Sequence, residues 1–189
     1  MDQVSRRIEE IAEWGKRGEY KFALILCDDL LMEHPESCEA LRERAYLRSR
    51  TGNNDGAIDD LTQIISRKPE EPCYFTERAD RLIDAGRYQE AVDDLTEALR
   101  LCDVWRSDYY RSTAHFVRAY AQLQLRRPVE TLDDCSRVEN GFRWWIEHGL
   151  RTKEMLIADA KALREKDDSS GQTPSGQGDT SVNGAAGQD

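Results

Sequence analysis

Three pairs of adjacent aspartates, Asp59-Asp60, Asp93-Asp94 and Asp133-Asp134, are by type the residues most able to do chemistry. Two carboxylates on one face could share a proton or hold a cation. Adjacent helical residues point about 100° apart, so none of these pairs forms such a dyad. Recurrence at one place in a repeat reads instead as structure, either a solvated face or ion pairs with nearby arginines. The three histidines, His34, His115 and His148, have no metal-binding partner at helical spacing, and H-E-x-x-H is absent. No glycine-rich phosphate loop with its lysine occurs, and no G-x-S-x-G. The five cysteines, Cys27, Cys38, Cys73, Cys102 and Cys135, are odd in number and form no C-x-x-C. They read as reduced thiols of a cytoplasmic protein. Residue types and spacing therefore predict no enzyme, no metal and no cofactor.

The elements that carry these residues follow a clear period. Phe75, Ala79 and Leu82 recur at helical spacing, and Gly86 then breaks the pattern. Tyr88, Ala91, Val92, Leu95, Ala98 and Leu99 form a second apolar stripe. Moved back 34 residues, Ala45, Gly52, Ala57, Ile58 and Leu61 take the same places. Another 34 back stand Gly18, Tyr20, Ala23 and Leu24. Helix-turn-helix units at a fixed period predict an all-α, right-handed α-solenoid.

At these residues the chain resembles the tetratricopeptide repeat family, whose unit has 34 residues. Small residues, a turn glycine, an aromatic and a closing proline fall in register. Ala79, Gly86, Tyr88, Ala91 and Ala98 supply them in unit three, Ala45, Gly52, Ala57 and Pro69 in unit two, and Gly18, Tyr20, Ala23 and Pro35 in unit one. Ile11, Asn54 and Asp103 depart from the pattern.

The units read as about 4–37, 38–71, 72–105 and 112–145, within a solenoid spanning 1–166. Leu132-Asp133-Asp134-Cys135 repeats Val92-Asp93-Asp94-Leu95 at a spacing of 40, so six residues are inserted near 106–111. They are expected to lengthen the first helix of unit four. Asn53 is placed to cap a helix, and Pro128 suits a first helical turn. Residues 142–166, with Met155, Leu156, Ala160 and Leu163 in one stripe, are expected to form a C-terminal capping helix, in which Gly149 is the candidate for a break into two pieces. From 167 to 189 the chain is acidic and rich in glycine and serine, the composition of a disordered tail.

Charged residues make up 34% of the chain and its net charge is −10. The tail carries −4 of that, which leaves −6 for the rest. An acidic surface argues against nucleic acid and permits a basic protein partner. No signal-like apolar core and no run long enough to span a membrane is present in the sequence.

What remains is surface. In the family that the chain resembles, the first helices of successive units line a concave groove that binds peptides or helices. Carried over by unit position, the resemblance implies a partner site at Arg42, Tyr46 and Arg50 in unit two, Thr76, Asp80 and Asp84 in unit three, and Phe116, Tyr120 and Gln124 in unit four. This is the pattern of a protein-binding adaptor or scaffold. A dedicated inhibitor or chaperone that masks a basic toxin or effector is the alternative. Family members that clamp chaperone C-terminal tails need a lysine and an asparagine where this chain has Ile8, Ala12, Arg42 and Tyr46, so that partner is disfavoured.

Overall fold

A computed structural model describes residues 3–105, 110–146 and 149–170. It is the all-α solenoid that the period predicts. Helices α1 (Gln3–Lys16) and α2 (Tyr20–Glu33) pair first, then α3 (Cys38–Arg50) with α4 (Asn54–Arg67). The third pair is α5 (Pro72–Asp84) with α6 (Tyr88–Trp105), and the fourth α7 (Arg111–Gln124) with α8 (Pro128–Ser136). Each helix packs on the next, and first helices of successive units also touch, α1 with α3 and α5 with α7.

Local chemistry sets the ends. Asn53 accepts the Gly56 N–H at 3.0 Å and Ser37 accepts the Ala40 N–H at 3.2 Å, each satisfying a free donor of a first turn. Pro72 and Pro128 stand in the first turns of α5 and α8, where no N–H partner is needed. All four intra-pair turns use one device. The chain enters the left-handed region at Gly18, Gly52, Gly86 and Arg126, with φ of 83°, 80°, 72° and 58°. The following N–H then returns to a carbonyl of the first helix, as Asn53 does to Arg48 at 2.9 Å and Arg127 to Gln122 at 2.9 Å.

The core lies between the helices of each pair and between pairs. Ala45, Ala57, Ala79 and Ala91 are at most 3% exposed, so a larger side chain at any of them would force a joint apart. Cys27 and Cys135 are buried among them. No helix among the described residues is long and apolar enough to cross a membrane.

Two expectations are corrected. The insertion does not lengthen the first helix of unit four: α7 has 14 residues, against 13 in α3 and α5. The extension is in α6, which has 18 residues against 14 in α4. Asp103 stands where Pro35 and Pro69 stop α2 and α4, so α6 is free to run on. Tyr110 precedes α7, and Tyr109 lies outside the described residues.

The segment from 142 is not one capping helix. Strands β1 (Arg143–Ile146) and β2 (Gly149–Thr152) form an antiparallel hairpin, and α9 (Lys153–Ser170) follows. Gly141 and Gly149, at φ of 76° and 121°, take conformations that a helix excludes. Between them the side chains alternate: Trp144 is half-buried and stacks on Phe142, while Trp145 is 73% exposed. α9 then packs on α7 and α8. Residues 167–170, assigned to the tail from sequence, continue α9, and 171–189 lie outside the described residues.

Candidate functional site

The nine residues expected in the groove separate into two groups. Three are not surface groups. Thr76 is 6% exposed, and its hydroxyl donates to the Pro72 carbonyl one turn back at 3.0 Å. Phe116 is 0% and Tyr120 4% exposed. For Phe116 the cover is the segment that leads into the hairpin: Phe142 lies against it with ring centroids 5.2 Å apart, and Trp144 stacks behind. The aromatic stretch of the expected path is thus core, covered by the chain itself.

The other six remain reachable on α3, α5 and α7. Arg42 is exposed, and its guanidinium grips both carboxylate oxygens of Glu77 on α5, with Nε to Oε2 at 3.0 Å. Arg50 donates to the Tyr20 hydroxyl at 3.3 Å and lies over that ring at 5.6 Å, so it leans toward unit one. Asp84 pairs with Arg81 at 2.9 Å. Gln124 is exposed at the end of α7. Tyr46 is 50% exposed, an unusual state for a large aromatic.

Asp80 differs from all of these. It occupies on α5 the place that Tyr46 occupies on α3 and Tyr120 on α7. Among the described residues it makes no hydrogen bond or ion pair. Burial pushes its carboxyl up to about 7, and Asp84 and Glu77 add to that while Arg81 opposes it. A half-buried acid with no such partner is suited to receive a cation.

The paired aspartates resolve into two roles. Asp59, Asp93 and Asp133 are exposed, whereas Asp60, Asp94 and Asp134 are buried at 0%, 7% and 1% exposure. Each buried one receives an arginine from the first helix of its unit. Arg44 reaches Asp60 at 3.1 and 2.7 Å, Arg78 reaches Asp94 at 2.7 and 2.6 Å, and Arg118 reaches Asp134 at 2.8 and 2.7 Å. The remaining guanidinium nitrogen crosses to the preceding unit, to Asp28 at 2.8 Å, Thr62 at 3.0 Å and Thr96 at 3.0 Å. These aspartates are engaged in holding units together. Of the two expectations from sequence, the exposed aspartates form a solvated face and the buried ones pair with arginines, which recur before alanine at 44–45, 78–79 and 118–119.

The clefts between second helices are lined by such pairs. The one between α6 and α8 holds Arg111 with Asp103 at 2.5 Å and Arg137 with Asp133 at 3.2 Å. Among the described residues no three His, Cys, Asp or Glu side chains stand close enough to hold a metal.

No family model matches the chain. It is 31% identical over 161 residues to human tetratricopeptide repeat protein 13, covering 80% of this chain and 18% of that protein. It is 28% identical over 97 residues to the TPR repeat-containing thioredoxin TTL4 of Arabidopsis thaliana, covering 51% of this chain and 14% of that one. The chain thus spans less than a fifth of the length of these curated relatives. Among solved structures, a MamA protein superposes with a TM-score of 0.65 at 13% identity, over 88% of this chain and 86% of that one. The Yersinia enterocolitica type III secretion chaperone SycD, in complex with a peptide of the translocator YopD, superposes with a TM-score of 0.59 at 16% identity, over 66% and 96%. At such identities the structural likeness is one of fold.

Proposed function

Because the chain is built of tetratricopeptide-type repeats, we propose that it is a non-catalytic protein-interaction module whose concave face, on α3, α5 and the end of α7, binds a peptide or helix of a partner protein. Tyr46, Asp80 and Asp84 are the centre of this site, with Arg42, Arg50 and Gln124 at its margin. Phe116, Tyr120 and Thr76 support it from below as packing residues. The observation that carries the reading is Asp80, a half-buried carboxyl with no hydrogen-bond or ion-pair partner among the described residues, at the place on α5 that the exposed Tyr46 holds on α3. Such a group favours a lysine or arginine side chain, flanked by an apolar residue that lies on Tyr46. Aromatic and charged anchors of this kind carry much of the energy of peptide recognition.

The test is an array of immobilised peptides probed with the full chain, followed by Asp80→Asn and Tyr46→Ala. Enrichment of basic peptides, with affinity falling about tenfold or more in each variant and no loss of melting temperature, supports the site. Binding that neither variant alters refutes it. The net charge of −10 and the likeness to SycD also favour a second reading, a chaperone or inhibitor that masks a basic effector. Salt separates the two. A charge-dominated mask loses association rate steeply as ionic strength rises, and a groove anchored on Tyr46 does so far less.

A further inference from the structure

A glutamate recurs in register on the first helices. Glu9, Glu43 and Glu77 hold the same place on α1, α3 and α5, and Val117 holds it on α7. The place one residue earlier is held by Ile8, Arg42, Thr76 and Phe116. Arg42 reaches forward from α3 to both carboxylate oxygens of Glu77 on α5. The same stitch onto Glu43 would have to come from Ile8, which carries no charge.

Glu43 is therefore left over. It is half-buried, and among the described residues it makes no hydrogen bond or ion pair. Its Oε1 lies on the α1 side of α3, 3.8 Å from where a Cβ on Gly15 would stand. Burial pushes its carboxyl up, and the cations that oppose this are Arg42 and Lys16. Both are engaged elsewhere, Arg42 with Glu77 and Lys16 with Glu13 at 2.6 Å. Asp80 is in the same condition on α5. The cation that acts on it is Arg81, and Arg81 holds Asp84 at 2.9 Å. Arg50, two turns from Glu43, is drawn onto the ring and hydroxyl of Tyr20. Matched cation by cation, the groove leaves two carboxyls over, on neighbouring helices. A partly buried charge without a counterion is costly, so each of these groups gains from a cation brought by a ligand. Tyr46 stands one turn from Glu43 and is exposed.

We infer that the groove reads two cations on one peptide segment, one at Glu43 and one at Asp80, with an apolar residue between them over Tyr46. This rests on the groove reading proposed above and adds Glu43 to it as a specificity-determining residue. Packed helix axes lie about 8–10 Å apart, and Glu43 leans to the far side of α3, so the two carboxyls stand on the order of 10–14 Å apart. An extended peptide rises about 3.3 Å per residue, which sets its two basic residues about four positions apart.

The test uses the full chain and synthetic peptides containing Lys-Ser-Leu-Ser-Lys. Controls carry glutamine for one lysine or the other, or the same two lysines side by side. The spaced peptide binds about tenfold or more tighter than any control. Glu43→Gln removes the sensitivity to one lysine and Asp80→Asn the sensitivity to the other, each without loss of melting temperature. Ile8→Arg supplies to Glu43 what Arg42 supplies to Glu77, and it weakens the spaced peptide to the level of a single-lysine control. If Asp80→Asn weakens binding while Glu43→Gln and Ile8→Arg do not, the inference is overturned and the groove reading stands. Equal binding of spaced and adjacent lysines also overturns it, because net charge alone is then the attraction. Binding that none of the three variants alters overturns the inference and the groove reading together.

Discussion

Arg118 of α7 and Asp134 of α8 meet through two parallel hydrogen bonds, and His115, one turn before Arg118, donates to the same carboxylate from Nδ1 at 2.8 Å. Burial acts to raise the Asp134 carboxyl, but the bonds from Arg118 and His115 outweigh it and hold the group below the usual range. Asp94 has Arg78 and no histidine, and there burial prevails and its carboxyl is raised.

Removing Asp134 leaves Arg118 and His115 facing an empty place at a unit joint. Asp134→Asn is expected to cost about 3–5 kcal/mol at pH 7, the usual penalty for breaking one side of a buried pair. The pH dependence has a definite sign. A depressed carboxyl contributes stability that is present above its ordinary range and lost as pH falls through its folded value. The deficit of the variant, measured by urea unfolding, should therefore shrink below about pH 4. A constant deficit across that range would show that packing and not charge is the cause.

Asp80 has the opposite sign. Its folded value of about 7 lies above the ordinary 3.8, so the neutral acid is the form that the fold prefers. That contribution is complete below pH 3.8 and is lost as pH rises through about 7. Asp80→Asn is expected to raise the melting temperature at pH 8 and to change it little at pH 4. A stabilisation of the same size at both values would rule out ionisation as its source. Basic peptides should bind the wild type more tightly at pH 8 than at pH 6, because the cation then meets a carboxylate.

Arg126 is a side-chain-bearing residue in the left-handed turn that units one to three give to glycine. For an L-residue that conformation costs roughly 1–2 kcal/mol. Its ion pair with Asp167, both partners half exposed or more, returns little. Arg126→Gly is expected to stabilise by about 0.5–1 kcal/mol, read as a higher urea midpoint at unchanged m-value. A lower midpoint would mean that the Asp167 contact holds α9 more firmly than its exposure suggests.

The thiols should separate by reactivity. Burial pushes Cys27 up to about 12 and Cys135 up to about 11, so neither offers thiolate at neutral pH. Cys73, at the start of α5, is raised by burial too but is only half-buried. A disulfide reagent under native conditions is expected to modify Cys73 first, and Cys73→Ser should abolish the fast phase. Rapid modification of Cys27 without unfolding would contradict the packing of unit one.

The architecture was readable because its physical demands repeat. Gly18, Gly52 and Gly86 must turn, and Ala45, Ala57, Ala79 and Ala91 must be small, so each requirement appears once per unit. The hairpin was less legible. Phe142, Trp144 and Ile146 are apolar at a spacing of two, but four residues are too few to outweigh the helical stripe that begins at Met155. Missing the hairpin also misplaced Phe116, whose ring lies against Phe142, far along the chain. Asp80 was singled out by position, while its lack of a partner depends on where Arg81 points, which spacing does not reveal.

The hairpin and α9 also give the molecule a direction. α9 touches α7 and α8 much as α3 touches α1 and α2, and Phe142 seals the joint against Phe116. A fifth repeat therefore has no face to stack on at this end without displacing the seal. Head-to-tail filaments need two complementary faces on every copy, and with one end closed the described solenoid lacks the second. At that end the described solenoid is a terminated array.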